Sequence, residues 1–312
     1  ISKKYNGFED VAGDEVTYNY LYAYNRTNNV LNKVYGESVL DAGNTKVKET
    51  LYYYDGQVLG KVGIGDLVKK VDVLDSMNNP ENPENPETHY AYDKFGNMIN
   101  MKDPMGNVTR FTFEGTNRYV SRTVDALGFS YYSYYNNTLG KKTVDIDANG
   151  FRTEYQYDSL GRILKVIRPG DSASSPTVLY VYNFDGKAPE YVTESRKVNS
   201  TLYVDETTYY DGLGNTYKKN TYGIVKDYYY NSMLLLSGES LPHFTEDSNI
   251  EKTEYVYDAL GRVVKMISPD GTMKILLYTL NNATLIDENG KHKKVSYNAN
   301  GNIQFVDYGS IV

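Results

Sequence analysis

The chain has 312 residues and a net charge of −7, with 34 tyrosines against 9 phenylalanines, no tryptophan and no cysteine. Without cysteine there is no disulfide framework, thiolate metal site or thiol nucleophile, and an acidic balance with scattered Lys and Arg argues against a nucleic-acid footprint. No apolar run approaches the ~20 residues of a membrane-spanning helix, and the excess of tyrosine, which fits pleated and half-buried surfaces, disfavours a helical bundle.

The opening residues Ile1-Ser2-Lys3-Lys4 resemble neither a signal peptide nor a natural start, and read as part of something longer. Residues 1–77 carry divergent hairpins, marked by Tyr24-Asn25 and Tyr54-Asp55. The segment 78–88, which holds Asn79-Pro80-Glu81, Asn82-Pro83-Glu84 and Asn85-Pro86-Glu87, is a small Pro-rich repeat, expected to be an extended, exposed loop. From 89 to 312 the chain repeats regularly.

The repeated element is Tyr-[Asp/Asn]-x-x-Gly. It occurs at Tyr92-Asp93 to Gly96, Tyr157-Asp158 to Gly161, Tyr182-Asn183 to Gly186, Tyr210-Asp211 to Gly214, Tyr257-Asp258 to Gly261 and Tyr297-Asn298 to Gly301. The residue after each glycine is Asn, Arg or Lys. Weaker copies at Phe113-Glu114, Tyr135-Asn136, Tyr230-Asn231 and Tyr278-Thr279 fill the gaps, so a unit of about 21 residues runs through the chain. A second turn follows half a unit later, as at Asp103-Pro104-Met105-Gly106, Asp125 to Gly128, Asp147 to Gly150, Ser268 to Gly271 and Asp287 to Gly290. Asp or Asn at the first turn position can bond the backbone two residues on, and Gly at the fourth tolerates positive φ.

Between turns the pieces alternate. Thr153-Glu154-Tyr155-Gln156-Tyr157 places two tyrosines on one face, and Arg162 to Ile167 is its return strand. Each unit is therefore a β-hairpin, and the whole an all-β antiparallel meander of roughly two dozen short strands. Insertions at 172–176 and 237–243 are expected to lengthen turns at the rim. Two dozen strands side by side would extend over ~100 Å, so the sheet is expected to curl, split or close, as a spiral shell or hollow-barrel-like segment. The pairs Tyr90/Tyr92, Tyr155/Tyr157, Tyr180/Tyr182 and Tyr255/Tyr257 are expected to form cross-strand ladders.

The pattern Tyr157-Asp158-Ser159-Leu160-Gly161-Arg162, its twin Tyr257 to Arg262 and the turn Asp103-Pro104-Met105-Gly106 resemble the repeats of the YD-repeat, or Rhs (rearrangement hotspot), family. The resemblance covers residues 89–312 well and 18–77 loosely. It implies hairpins spiralling into a hollow β-cocoon, as in the B and C components of insecticidal toxin complexes, polymorphic toxins, wall-associated toxins and teneurins. Such a shell encloses a toxic polypeptide or serves adhesion. Bacterial members commonly end the shell with an autoproteolytic Asp-Pro-x-Gly-Leu segment. Here the sole Asp-Pro-x-Gly, Asp103 to Gly106, precedes Asn107 inside the array, so no cleavage site carries over.

Other chemistry is sparse. Asp145-x-Asp147-x-Asn149-Gly150 matches the opening of an EF-hand loop, but Gln156 stands at position twelve and strands flank it, so a repeat turn is the expected reading. The prominent Asp93, Asp158, Asp211 and Asp258 sit at turn positions, where hydrogen bonding explains them without catalysis. His89, His243 and His292 stand alone, and the five N-x-[Ser/Thr] sequons would matter only in a glycosylating pathway. No catalytic, metal or cofactor residue is expected. The function expected is a secreted or surface-exposed, non-enzymatic wall of a shell enclosing a toxin polypeptide. The alternative is an adhesion, fibre or carbohydrate-binding module. The partners expected are the rest of the shell or other copies joined through edge strands, an enclosed polypeptide, and a surface glycan under the alternative.

Overall fold

The structure is a computed structural model that describes residues 2–5, 15–74, 79, 81–297 and 302–309. These residues form 26 β-strands and no helix. The strands pair antiparallel, and most pairings join neighbours in sequence, so the fold is the all-β hairpin meander expected from the repeats. The chain divides into two compact units, Ile1–Arg152 and Thr153–Val312.

In the first unit, long strands come first: β1 (Ser2–Tyr5), β2 (Val16–Asn25), β3 (Val30–Leu40), β4 (Lys46–Tyr54) and β5 (Leu67–Val73). Shorter hairpin strands follow: β6 (Glu87–Tyr92), β7 (Met98–Lys102), β8 (Val108–Phe113), β9 (Val120–Val124), β10 (Ser130–Asn136) and β11 (Lys141–Ile146). Strand β6 opens at Glu87, within the segment expected to be an exposed loop. Nearby, Asn85 is buried, accepts the Leu74 N–H and donates to the Asn79 carbonyl.

The second unit holds β12 (Arg152–Tyr157), β13 (Ile163–Ile167), β14 (Val178–Asn183), β15 (Glu190–Lys197), β16 (Tyr203–Tyr210), β17 (Thr216–Thr221) and β18 (Ile224–Tyr230). It continues with β19 (Leu236–Ser240), β20 (His243–Phe244), β21 (Lys252–Tyr257), β22 (Val263–Ile267), β23 (Met273–Tyr278), β24 (Asn282–Ile286), β25 (His292–Tyr297) and β26 (Ile303–Gly309). The expected loop at 237–243 is corrected here. Most of it is strand: β19 pairs with Tyr228–Tyr230, and His243 and Phe244 form β20, which pairs with Val225 and Ile224. The long β18 offers one edge to both, and Ser240 accepts the Asp227 N–H between them, which ties the two short strands together. The expected loop at 172–176 is a compact turn. Asp171 takes the Thr177 hydroxyl and the Lys197 ammonium, and Tyr203 donates to the Pro176 carbonyl.

A register shift recurs where the repeat tyrosine meets its turn. Ala91 faces Asn100 but Tyr92 faces Met98, which leaves Ile99 as an extra residue. The same shift falls at Gln156/Tyr157, Tyr209/Tyr210, Tyr229/Tyr230 and Val256/Tyr257. A four-residue turn with its last residue at positive φ generates such a bulge, which adds local twist and re-aims the return strand.

Among the described residues only eight apolar side chains are buried. A sheet with so few covered residues relies on its ladders and on contacts made across its own faces. A cluster with a defined centre joins Ala23, Tyr54 and Val62, with Val30, Tyr35, Tyr52 and Leu67 packed around it. The segment after Asp55 builds it. The Asp55 carboxylate gathers the N–H groups of Gly63, Gly65 and Asp66, while Asn25 and Asn28 donate to the Val62 and Gly63 carbonyls. That network holds the loop so that Val62 is pressed into the cluster.

Candidate functional site

The repeated turn is the feature with the most developed geometry. In Asp93 to Gly96, the Gly96 N–H bonds the Asp93 carbonyl at 3.1 Å and the Asp93 N–H bonds the Asn97 carbonyl at 2.9 Å. The Asp93 carboxylate then accepts the N–H groups of Phe95 and Asn97. Asp158, Asp211 and Asp258 repeat this arrangement with Leu160 and Arg162, Leu213 and Asn215, and Leu260 and Arg262. Gly96, Gly161, Gly214 and Gly261 all have φ between 77° and 84°, where an L side chain is disfavoured.

These bonds shift the carboxylates. The Asn215 side chain, then backbone N–H groups, hold Asp211 below the usual carboxylate range. At Asp258 the Arg262 N–H is the leading cause of the same lowering. Partial desolvation pushes Asp158 upward, but the Arg162 side chain and N–H groups outweigh it and the net shift is down. Glu114, in the weaker copy, is pulled down to about 2 by the Thr116 hydroxyl and by backbone N–H groups. A carboxylate lowered on folding adds stability above its unfolded value, and that contribution is lost as pH falls through the folded value. The melting temperature should therefore drop as pH is lowered from 4.5 toward about 2. Melts at stepped pH check this; a flat profile through that window would refute the turn electrostatics.

At three of these turns the residue after the glycine couples the turn to the next hairpin. Arg162 donates through Nε to Asp158 at 2.6 Å, and its guanidinium lies 4.5 Å from the centre of the Tyr182 ring. Arg262 likewise pairs with Asp258 and lies 4.4 Å from the Tyr278 ring centre. Where Asn replaces Arg, Asn97 reaches both Asp93 and the Asn117 carbonyl of the following turn. The sequence shows the Asn/Arg/Lys preference at this position but not its use, because the partner ring or carbonyl lies about a repeat further on.

Tyrosine hydroxyls complete the coupling. Tyr182 donates to the Ile163 carbonyl, Tyr230 to Thr216 and Tyr257 to Leu236, at 2.7–2.9 Å. Each acceptor stands two residues past the fourth position of the preceding turn. Arg162 and Tyr182 should thus be coupled by about 0.5–1 kcal/mol. A double-mutant cycle with Arg162→Ala and Tyr182→Phe, plus Tyr182→Leu to remove the ring, measures it. Additive losses for Arg162→Ala and Tyr182→Leu would exclude the contact.

Some expected placements differ. Tyr182-Asn183 to Gly186 is not a turn of this kind. Strand β14 runs through Asn183, which faces Tyr191, and the turn bond moves to Asp185, which accepts the Lys187 N–H. The extra residues before Pro189 lengthen the connection, and Asn183 donates to the Pro189 carbonyl instead. Asn298 and Gly301 lie outside the described residues. Of the four expected tyrosine pairs, Tyr180 and Tyr182 stack at 6.4 Å along one strand, β14, and not across strands, and the row extends through Phe184 to Tyr210. Further ring contacts join Tyr119 with Tyr135, Tyr191 with Tyr209, and Tyr209 with Tyr217. The bulge at the repeat tyrosine explains why same-strand spacing does not by itself identify the rings that meet.

Two constellations have the residue types for chemistry but not the geometry. Asp147 is occupied by the N–H groups of Asn149 and Phe151, and Asp145 by Ser133 and Lys142. Ser240, Asp227 and His243 converge. However, Ser240 is 1% exposed, and the imidazole nitrogens face Asp227 Oδ2 and the Phe244 carbonyl. The histidine is thereby engaged at both nitrogens, and the arrangement buckles β19 and β20 onto β18 without presenting a nucleophile.

No protein-family model and no curated protein matches the chain. Solved structures do. The crystal structure of TcdB2-TccC3 superposes with a TM-score of 0.70 at 12% identity, over 93% of this chain and 22% of that one. TcdB2-TccC3 without its hypervariable C-terminal region gives 0.69 at 11% identity, over 93% of this chain and 24% of that one. The Tc holotoxin pore of Photorhabdus luminescens gives 0.52 at 12%, over 94% and 17%. The chain shares the antiparallel hairpin fold of these toxin-complex chains and spans between a fifth and a quarter of their length.

Proposed function

We propose that this chain is a non-enzymatic, extracellular wall segment of a YD-repeat shell that encloses a polypeptide effector. The observation that supports it most directly is the coupling of hairpin to hairpin, in which the Arg162 guanidinium and the Ile163 carbonyl both engage Tyr182 of the following hairpin. Such coupling makes an extensible sheet whose stability is summed over neighbours. The fold shared with the TcdB2-TccC3 chains supports the toxin-complex setting. In a shell, the wall excludes proteases and solvent from what it surrounds. The repeat tyrosines and turn Asp and Gly residues, from Tyr92, Asp93 and Gly96 to Tyr257, Asp258 and Gly261, act as register-holding parts and not as reagents.

The test is protease protection in the intact parent protein. An enclosed polypeptide should survive trypsin under native conditions and be digested once acid or mutation opens the wall. Digestion of that polypeptide at the rate of its isolated form would overturn the enclosure reading.

The row Tyr180, Tyr182, Phe184 and Tyr210, with Phe184 46% exposed, favours carbohydrate contact as the second reading. A glycan array showing selective binding that is lost in Phe184→Ser would support it; an array without selective signal would dismiss it.

A further inference from the structure

The chain has no cysteine and no tryptophan, so its 34 tyrosines are the side chains that a one-electron oxidant attacks first. Two of them are held together. The rings of Tyr119 and Tyr135 lie 4.6 Å apart between centroids and 15° from parallel, an offset stack. Tyr180 and Tyr182 stand wider, at 6.4 Å, while Tyr191 and Tyr209 are 5.7 Å apart and tilted by 51°. Tyr119 and Tyr135 are both half-buried, which keeps them within reach of solvent. Neither hydroxyl bonds a described residue.

Strand register sets this pair. Strand β9 pairs with β10 so that Val124 faces Ser130 and Arg122 faces Tyr132. Continued toward the turn, the same register brings Tyr119 opposite Tyr135. The shift between Tyr134 and Tyr135, against β11, aims the second ring. Gly140 leaves room for the first, since a Cβ there would lie 2.9 Å from the Tyr119 hydroxyl oxygen. The two rings thus belong to successive hairpins, β8–β9 and β10–β11, and meet without either hairpin moving.

We propose that Tyr119 and Tyr135 form an oxidative cross-linking site, where a one-electron oxidant of the peroxidase class joins the two hairpins through dityrosine. Each phenol gives up one electron and its hydroxyl proton, leaving a phenoxyl radical with spin on the ring carbons ortho to oxygen. The radicals bond through one such carbon from each ring. The two displaced ring hydrogens pass to the oxygens, which restores both phenols. The chain loses two electrons and two protons in all, and the hydrogen peroxide that feeds the oxidant takes them up to become two waters. Phenoxyl rings associate face to face before they bond, so a pre-formed stack supplies the orientation that coupling otherwise has to find. In a chain without disulfides the new bond closes the loop from 119 to 135 and restricts the unfolded state as a disulfide does.

The experiment treats the whole chain with peroxidase and hydrogen peroxide, at a dilution that suppresses joining between molecules. Trypsin digestion and mass spectrometry should recover residues 119–122 and 123–141 as one species, two hydrogens lighter than the two peptides together. Its yield should exceed that of a Tyr191–Tyr209 product about tenfold, because only the first pair is stacked. The treated chain should melt several degrees higher. Tyr135→Phe keeps the ring, should melt with the wild type before treatment, and should lose both the product and the gain. Absence of the 119–135 product, a yield no greater than that of Tyr191–Tyr209, or cross-linking without a rise in melting temperature would each overturn the proposal. So would a Tyr135→Phe chain that keeps the gain. The product is read in the wild-type chain, so a variant that fails to fold leaves the test standing. None of these results bears on protease protection, and the enclosure reading fails or survives separately.

Discussion

Replacing Tyr54 by alanine should destabilise the first unit by about 3–5 kcal/mol, the largest loss expected from any single truncation of the array. The ring is 7% exposed at the centre of the cluster with Ala23 and Val62. Its hydroxyl donates to the Val34 carbonyl at 2.7 Å. Burial, then the nearby Glu37 carboxylate, pushes its phenol pKa up, as expected of a neutral group held away from water. Alanine removes the packing, leaves a cavity beneath Val62 and orphans the Val34 carbonyl. Tyr54→Phe separates the two effects, since it keeps the ring and should cost only about 1 kcal/mol. Denaturant melts of both variants check the ratio. Equal losses would show that the hydroxyl, and not the packed ring, holds the cluster. The Asp55 cradle should loosen with the ring, because Val62 no longer has a surface to press on.

Gly161→Val should cost the second unit about 1–2 kcal/mol, through the backbone and not through crowding. Gly161 sits at φ 77°, where a β-branched side chain meets its own carbonyl. The effect does not stop at the turn. Arg162 and Ile163 follow directly, and they supply the guanidinium and carbonyl that engage Tyr182. Gly161→Asn should be much milder, since Asn29, Asn44 and Asn117 already adopt φ of 56–61° in this chain. Thermal melting of the two variants provides the comparison. A valine variant melting with the wild type would refute the turn assignment. Leu234, at φ 61° in the equivalent position after Asn231, shows that the array tolerates one such residue when its other bonds are made.

Much of this is legible in the residues. Tyr157-Asp158 to Gly161 announces a turn because side-chain oxygen and positive-φ glycine are local requirements, met within four residues. Alternation in Thr153 to Tyr157 announces a strand for the same reason. The ladder pairing of neighbouring hairpins follows from short connections. Contacts whose partners lie a repeat away are harder to read. The role of Arg162 depends on where Tyr182 falls, and that position depends on the bulge between Gln156 and Tyr157. The segment 237–243 reads as loop because Gly238 and Pro242 interrupt any pattern. Ser240 and His243 nevertheless make it two short strands by bonding Asp227.

Residue order alone makes this protein an antiparallel array of Tyr-Asp hairpins, because turns and alternating strands are short-range devices that need no partner beyond a few residues. Which rings touch, how each turn is coupled to the next hairpin and where a core exists are settled in three dimensions. Those contacts depend on register, and a shift of one residue at each bulge changes what meets across the sheet.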